Sequence, residues 1–190
     1  MQNPRLVIGI SGASGILYGI RLLQCLQSTD VETHLVMTNA AYQTCTYETS
    51  FSPNDIHQLA DKFYKITDLA ASISHGSYKT LGMIIAPCSM RTLADIAAGT
   101  TNNLLTRCAD VILKERRKLV LMARESPLHL GHIRNMAQVT KMGAIVAPPV
   151  PAFYNKPTTI DDIINHSVGR ALDLFDIEAD LVRRWGETDQ

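Results

Sequence analysis

Short, almost uninterrupted apolar runs alternate along the chain with longer segments whose apolar residues recur at helical spacing. The runs fit strands that are buried on both faces, and the spaced segments fit helices with one buried face. This alternation predicts an α/β protein with a Rossmann-like (flavodoxin-like), doubly wound parallel sheet and helices on both faces. The predicted strands are residues 6–10, 31–37, 81–86, 118–123 and 144–147, and the predicted helices are residues 16–27, 39–49, 53–65, 93–99, 103–116, 130–142 and 160–175.

The turn after the first predicted strand is rich in small residues. Ser11, Gly12, Ser14 and Gly15 separate this strand from the helix that follows. The first N–H groups of a helix lack partners within the helix, and the helix dipole favours an anion there. The glycine spacing is not the dinucleotide fingerprint, and no lysine follows as in a P-loop. Two interpretations therefore stay open: a phosphate site, or a tight turn without a ligand.

Polar residues also follow the other predicted strands. In an open parallel sheet the carboxyl ends of the strands share one edge, and ligands bind at that edge. The sequence therefore predicts that residues 11–14, Thr38, residues 89–92, Arg124 and Glu125 lie together. Hydroxyl groups, backbone N–H groups and guanidinium groups suit a phosphate and a flat polar ring system.

Composition narrows the classes of function. Of the 190 residues, 46% are hydrophobic and 19% are charged, and 18 basic residues balance 18 acidic ones. The hydrophobic content predicts one domain over residues 1–190, and the polar stretch from about residue 176 predicts a C-terminal tail. The balance of charges argues against nucleic-acid binding through bulk charge. No apolar run reaches the length of a membrane span. Four cysteines without a CxxC pair are typical of a reduced, cytoplasmic protein.

Several reactive side chains also have a structural interpretation. Cys88 has no histidine visibly paired with it, which favours a packing residue over a nucleophile. His129 and His132 form an HxxH pair without a third ligand, which favours a polar helix start over a metal site. Arg107 and Lys114 are seven residues apart on one helix face beside an apolar stretch, which indicates a cleft or an interface.

Six motifs occur in a fixed order over nearly the whole chain. They are GISGASG from Gly9, THLVM from Thr33, PCSMRT from Pro87, ADVILKERR from Ala109, RESPL from Arg124 and PPVPAFY from Pro148. Together they resemble the motifs of the UbiX flavin prenyltransferase family. One position departs from the family pattern, because Thr38 stands where serine is usual, although the hydroxyl is kept.

This resemblance implies a particular reaction. Reduced FMN is a substrate, and dimethylallyl monophosphate donates a five-carbon unit to flavin N5 and then to C6, although a diphosphate donor stays open. The product, prenylated FMN, serves a UbiD-type decarboxylase, in many bacteria within ubiquinone biosynthesis. The family needs no metal ion and forms large homo-oligomers, commonly dodecamers, with sites at subunit interfaces.

The resemblance also assigns roles to residues of this chain. Glu48 and Glu125 stand at the two acidic positions, and Trp185 at a C-terminal aromatic position that covers the prenyl group. The group that takes a proton from flavin C6 stays open between these two carboxylates and the released phosphate. The FMN-binding positions are Gly12, Ala13, Ser14, Thr38, Ser89, Met90, Arg91, Thr92 and Arg124, and the prenyl phosphate is held by Arg107, Lys114, Tyr154 and Arg170.

Two other functions are compatible with a flavin-binding fold of this type. One is an FMN-dependent decarboxylase of the cysteine-decarboxylase type, but its early catalytic histidine and its PxMNxxMW-type segment are not found in this sequence. The other is a non-catalytic flavin-binding module, in which Lys114, Glu125, Tyr154 and Arg170 would have no shared task.

Overall fold

A single parallel sheet forms the centre of this computed structural model, which describes residues 3–179 and 181. Its strands lie in the order β3-β2-β1-β4-β5-β6, and every neighbouring pair is parallel. The strand order reverses between β1 and β4, which is the topological switch point of a doubly wound sheet. The strands are β1 (Arg5–Ile10), β2 (Glu32–Met37), β3 (Lys62–Tyr64), β4 (Gly82–Cys88), β5 (Lys118–Ala123) and β6 (Ile145–Val146).

Most of the helices begin at a residue whose side chain caps the helix. Thr38, Ser52, Ser89, Asn103 and Thr159 each accept a first-turn N–H, so five helix starts carry a local signal. The helices are α1 (Ile16–Leu26), α2 (Asn39–Glu48), α3 (Pro53–Gln58), α4 (Met90–Ala97), α5 (Leu104–Lys114), α6 (Leu130–Met142) and α7 (Ile160–Asp173), and short 3₁₀ turns cover Ser72–Ser74 and Phe153–Asn155.

The helices form one layer on each face of the sheet. Helices α1, α2, α3 and α7 contribute to the hydrophobic cluster on one face, and α4, α5 and α6 to the cluster on the other. Strand residues alternate between the two: Leu6, Ile8 and Ile10 belong to the first cluster and Val7 to the second. Helices α5 and α7 therefore lie on opposite faces, which matters for the site described below.

The predicted helix over residues 53–65 is wrong in its second half. Helix α3 ends at Gln58, and residues 62–64 form the edge strand β3, so the sheet has six strands instead of five. The spacing of Ile56, Leu59 and Phe63 imitates a helix face. Residues 62–64 nevertheless pair with the edge of β2. The Asp61 carboxylate holds them there, because it accepts the N–H and the hydroxyl of Thr33 at 2.7 and 2.9 Å.

The other elements agree with the predictions to within a few residues. Helix α5 ends at Lys114 instead of residue 116, and α7 ends at Asp173 instead of residue 175. Strand β6 is only two residues long, whereas four were predicted. None of the helices in the described part of the chain is both long and apolar enough to cross a lipid bilayer.

Candidate active site

Hydrogen bonds between strand ends build the carboxyl edge of the sheet. The Ser11 hydroxyl donates to the Pro87 carbonyl at 2.9 Å and accepts the Ser89 N–H at 2.7 Å, so it links the ends of β1 and β4. The Arg124 N–H donates to the Cys88 carbonyl at 3.1 Å, which joins the end of β5 to the same edge. Ser11 is fully buried, so water does not compete for its bonds. The turn after β1 is thereby placed beside residues 89–92 and Arg124.

A carboxylate from the end of α2 holds the turn between β1 and α1. Glu48 Oε2 accepts the N–H groups of Gly15 and Ile16 at 2.8 and 3.1 Å. Gly15 has a φ of 97°, in the left-handed region that favours glycine. Gly12 lies so close to α2 that a Cβ at this position would be 2.3 Å from the Ala40 Cβ. The N-terminus of α1 thus already holds an anionic group, where one interpretation of the sequence placed a phosphate.

The environment of Glu48 keeps its carboxyl group ionised. Partial burial acts to raise the pKa, but hydrogen bonds from the Ser14 hydroxyl and from the N–H groups of Gly15 and Ile16 outweigh it. The Arg124 guanidinium lowers the pKa further, so the net pKa of Glu48 lies below its ordinary value of 4.5. The electrostatic interaction with Arg124 also shows that this carboxylate and this cation lie near each other at the carboxyl edge.

Two further helix N-termini flank the β1–α1 turn. The Thr38 N–H donates to the Ile10 carbonyl at 3.0 Å, and the Thr38 hydroxyl caps α2 by accepting the Ala41 N–H at 3.2 Å. Ser89 caps α4 by accepting the Thr92 N–H, also at 3.2 Å. Two positive helix ends and their hydroxyl groups therefore face the crevice between β1 and β4. Such an arrangement suits a phosphate.

A cavity of about 320 Å³ lies between the ends of β5 and β6 and helix α7. Met122, Ile145 and Ala147 give it apolar walls, and Arg170 adds a guanidinium group. An apolar wall with a cation at its rim suits a short hydrocarbon group that ends in a phosphate. The Ser167 side chain also lines the cavity.

Tyr18 connects this cavity to the carboxyl edge. Burial raises the pKa of the Tyr18 hydroxyl, while the nearby Arg124 guanidinium and a hydrogen bond with Ser167 lower it in part. Sequence reasoning missed both Tyr18 and Ser167. The signal was their position: Tyr18 lies in the first turn of α1 after Gly15, and Ser167 lies three residues before Arg170 on α7.

Tyr154 and Arg170 lie on the α7 side of the sheet. The Tyr154 ring, in the turn Phe153–Asn155, meets the His166 ring edge-on with the centroids 5.8 Å apart. Arg170 follows His166 by one helical turn and forms an ion pair with Asp173 at 2.7 Å. Glu125 is exposed directly after Arg124, and its Oε1 accepts the Ser126 N–H at 3.1 Å. Trp185 lies outside the described residues.

Lys114 lies at the opposite edge of the sheet from the β1–α1 turn. It is the last residue of α5, and its Nζ would be 2.7 Å from a Cβ built on Gly76. Arg117, just before β5, donates to the Gly76 carbonyl at 2.6 Å. These contacts mark the amino edge of the sheet, roughly 20 Å from the carboxyl edge for strands of six residues.

Arg107 is also separated from the α7 side. It lies in the first half of α5 and forms an ion pair with Asp110 at 2.9 Å. Because α5 and α7 pack on opposite faces, one chain does not bring Arg107 and Lys114 together with Tyr154 and Arg170. The residues that lie at or next to the carboxyl edge of one chain are Gly12, Ala13, Ser14, Thr38, Glu48, Ser89, Met90, Arg91, Thr92, Arg124 and Glu125.

The cysteine and histidine candidates have structural roles here. Burial raises the pKa of the Cys88 thiol to about 12, so the thiol stays protonated at neutral pH and is a poor nucleophile. His129 caps α6, where its Nδ1 accepts the N–H groups of Gly131 and His132. Within residues 3–179 and 181, no group of three or more His, Cys, Asp or Glu side chains is arranged to hold a metal ion.

Comparisons with known proteins identify the family. The Flavoprotein family model matches residues 1–172. Flavin prenyltransferase UbiX of Escherichia coli (strain K12) is 57% identical over 184 residues, which cover 95% of this chain and 97% of the relative.

Two solved structures share both the fold and half of the sequence. The crystal structure of AnUbiX (PadA1) in complex with FMN and dimethylallyl pyrophosphate has 50% identity and a TM-score of 0.95, and the match covers 96% of this chain and 97% of that one. A dodecameric FMN-dependent UbiX-like decarboxylase from Escherichia coli O157:H7 has 50% identity and a TM-score of 0.93 over 95% and 98% of the two chains. The fold and the family expected from the sequence are thus confirmed, and the chain belongs to the flavoproteins and, among them, to the UbiX flavin prenyltransferases.

Proposed function

We propose that this protein transfers a dimethylallyl group from dimethylallyl monophosphate to N5 and C6 of reduced FMN. The observation that carries the proposal is a polar crevice and an apolar cavity in the same chain. The crevice has two capped helix N-termini at the switch point, and the cavity has Arg170 at its wall. Tyr18 links the two, because its hydroxyl is hydrogen-bonded to Ser167 of the cavity wall and interacts with the Arg124 guanidinium of the carboxyl edge.

The crevice side of this site would hold FMN. Thr38 and Ser89 offer hydroxyl groups at the starts of α2 and α4, and exposed Arg91 adds a cation on α4. Gly12 lets the β1–α1 turn pack directly against α2, because a side chain there would collide with Ala40. When bound, reduced FMN supplies the electron-rich N5 and C6 atoms that receive the prenyl carbon atoms.

The cavity side would hold the prenyl donor and stabilise its departing phosphate. When the allylic C–O bond breaks, both electrons stay with the phosphate, and cations placed at that oxygen lower the barrier. Arg170 provides such a cation, and the apolar walls exclude water from the carbon centre. Formation of the first bond releases the N5 proton. In the second, C6 bonds to the outer carbon of the prenyl double bond, the middle carbon of that double bond takes up a proton, and C6 loses its own proton. Ionised Glu48, exposed Glu125 and the released phosphate are the three candidate bases.

The cationic part of this site would be completed by a second copy of the chain. Arg107 and Lys114 lie on the face opposite to α7, and both are partly exposed. We propose that they reach the prenyl phosphate of a neighbouring protomer within a homo-oligomer, a dodecamer as in the Escherichia coli O157:H7 neighbour. The exposed apolar residues Leu130, Ile133 and Phe153 support such contacts between copies.

The direct test is a prenylation assay without oxygen. Reduced FMN is incubated with the protein and with either dimethylallyl monophosphate or dimethylallyl diphosphate, and the flavin is analysed by mass spectrometry. We expect a flavin heavier by one dimethylallyl unit, and the two donors show which phosphate the site accepts. A preparation that binds FMN but leaves its mass unchanged would contradict the proposal and support a non-catalytic flavin-binding module.

Variants separate catalysis from simple binding. Lys114→Ala should reduce turnover by about 100-fold or more, since a cation that stabilises the departing phosphate is lost. The control Lys141→Ala removes an exposed lysine at the end of α6 and should leave turnover unchanged. A flavin carrier would respond to neither substitution.

The wider setting is proposed on the same basis. We propose one flavin-binding domain over residues 1–190 with a tail from about residue 176, because both hydrophobic clusters share one sheet. The four free cysteines support a reducing, cytoplasmic location. The product would serve a UbiD-type decarboxylase in ubiquinone biosynthesis. This is tested by adding the product to such a decarboxylase prepared without cofactor and measuring its activity.

A further inference from the structure

The segment between β5 and α6 carries Glu125 and is held at both ends. At its start, the Arg124 N–H donates to the Cys88 carbonyl at 3.1 Å. At its end, His129 Nδ1 accepts the N–H groups of Gly131 and His132 at 3.0 and 3.4 Å and so caps α6. Residues 125–128 between these two anchors are exposed. The hydrogen bonds at the two ends therefore have a large share in fixing the place of Glu125.

The imidazole of His129 packs against two neighbours. A Cβ at position 131 would lie 2.8 Å from His129 Cε1 and 3.0 Å from Nδ1, so a side chain there would require the exposed ring to shift. The His132 ring packs against it with the centroids 3.6 Å apart and the planes inclined by 30°. The helix that they begin is anchored to the core by Val139, which is fully buried.

The cap differs in kind from those of the other helices. Thr38, Ser52, Ser89, Asn103 and Thr159 cap their helices with short oxygen-bearing side chains, as expected for helix starts. Histidine is not among the usual capping residues. Because Nδ1 accepts two N–H groups, the ring proton of neutral His129 is on Nε2. The fold thus uses an acceptor on a rigid ring at the helix start that follows Glu125.

We propose that His129 is a positioning residue for Glu125: its Nδ1 cap of α6 fixes the segment that presents this carboxylate to the flavin and prenyl sites. The expected effect of His129 on kcat rests on the proposed prenyl transfer. Its expected effect on the placement of residues 125–128 rests on geometry alone. His129 itself touches neither substrate. Its effect passes through the backbone of residues 125–128, so an acceptor at the same place on a different side chain suffices.

The first test compares two substitutions at position 129. His129→Ala removes the acceptor and should lower kcat by about tenfold to 100-fold, because a small displacement of a reacting group is costly. KM for reduced FMN should change less than about twofold, since the flavin-binding residues are untouched. His129→Asn restores a capping oxygen and should recover most of kcat. Ser52→Ala, which removes the cap of α3, should leave kcat unchanged.

Amide hydrogen exchange tests the structural half without any turnover. The Gly131 and His132 amides should exchange about tenfold faster in His129→Ala and return toward the wild-type rate in His129→Asn. Unchanged exchange in His129→Ala overturns the inference. Faster exchange with unchanged kcat also overturns it. If His129→Ala and His129→Asn lose kcat equally, the inference is overturned as well, because a capping acceptor then fails to restore activity. If the wild-type protein forms no prenylated flavin, the proposed function fails, and the exchange rates still decide whether His129 holds the segment.

Discussion

At the scale of single residues, Glu48 links stability to pH. Its pKa in the folded protein lies below the ordinary value of 4.5, through its hydrogen bonds and Arg124. The stability that this carboxylate contributes is therefore fully present above about pH 4.5 and is lost as the pH falls through the lower folded value. We expect Glu48→Gln to be less stable than wild type by about 0.5–1 kcal/mol at pH 7, with the difference shrinking as the pH falls below 4.5.

Urea unfolding at several pH values measures this dependence. Glu178→Gln is a suitable control, since Glu178 is exposed and its substitution should change the free energy of unfolding by less than about 0.5 kcal/mol at any pH. A difference between Glu48→Gln and wild type that stays constant from pH 7 to pH 3 would contradict the role of charge. Sequence reasoning could not assign this cap, because the carboxylate comes from 33 positions beyond Gly15 and only the packing of α2 beside α1 brings it there.

At the scale of elements, Ser11 joins the two strands that flank the switch point. Its hydroxyl accepts the Ser89 N–H at 2.7 Å inside the protein. Ser11→Ala leaves this partly buried N–H without its acceptor and should lower the free energy of unfolding by about 1–2 kcal/mol. Because Ser89 caps α4 at the crevice, FMN affinity should fall as well.

Ser74→Ala removes another buried serine hydroxyl, which donates to Leu69, and should destabilise the protein without weakening FMN binding. If wild type and Ser11→Ala bound FMN with equal affinity, the hydrogen bond between Ser11 and Ser89 would have no part in shaping the FMN site.

The elements show which signals in the sequence were sufficient. The polar pair His129 and His132 indicated the start of α6 and Gly143 its end, and buried apolar runs located five strands. The sixth strand was missed because its three residues follow a helix start with the strongest local signals, Ser52 and Pro53. Its existence depends on the free edge of β2 and on the bonds between Asp61 and Thr33, which are 28 residues apart. Pairing across that distance leaves no local pattern.

At the scale of the whole molecule, Arg107 and Lys114 on α5 lie on the opposite face of the sheet from Arg170 on α7. The alternation of strands and helices was enough to predict the carboxyl edge, where Gly12, Thr38 and Ser89 lie. It was not enough to place Lys114 relative to Arg170, because that depends on which face each helix covers. A helix that returns from the carboxyl edge ends at the amino edge, so Lys114 points away from its own crevice. The proposed prenyl phosphate site therefore requires another chain.

Mixing two inactive variants tests this requirement. Lys114→Ala and Glu125→Gln each impair every site when present alone. If Lys114 and Glu125 of one site come from different chains, mixed oligomers contain sites with both native residues. Random mixing of equal amounts, by unfolding and refolding together, should then restore about one quarter of the wild-type sites. If both residues come from the same chain, no site regains both, and activity stays at the level of the separate variants. Refolding wild type with Lys114→Ala controls for losses during the procedure.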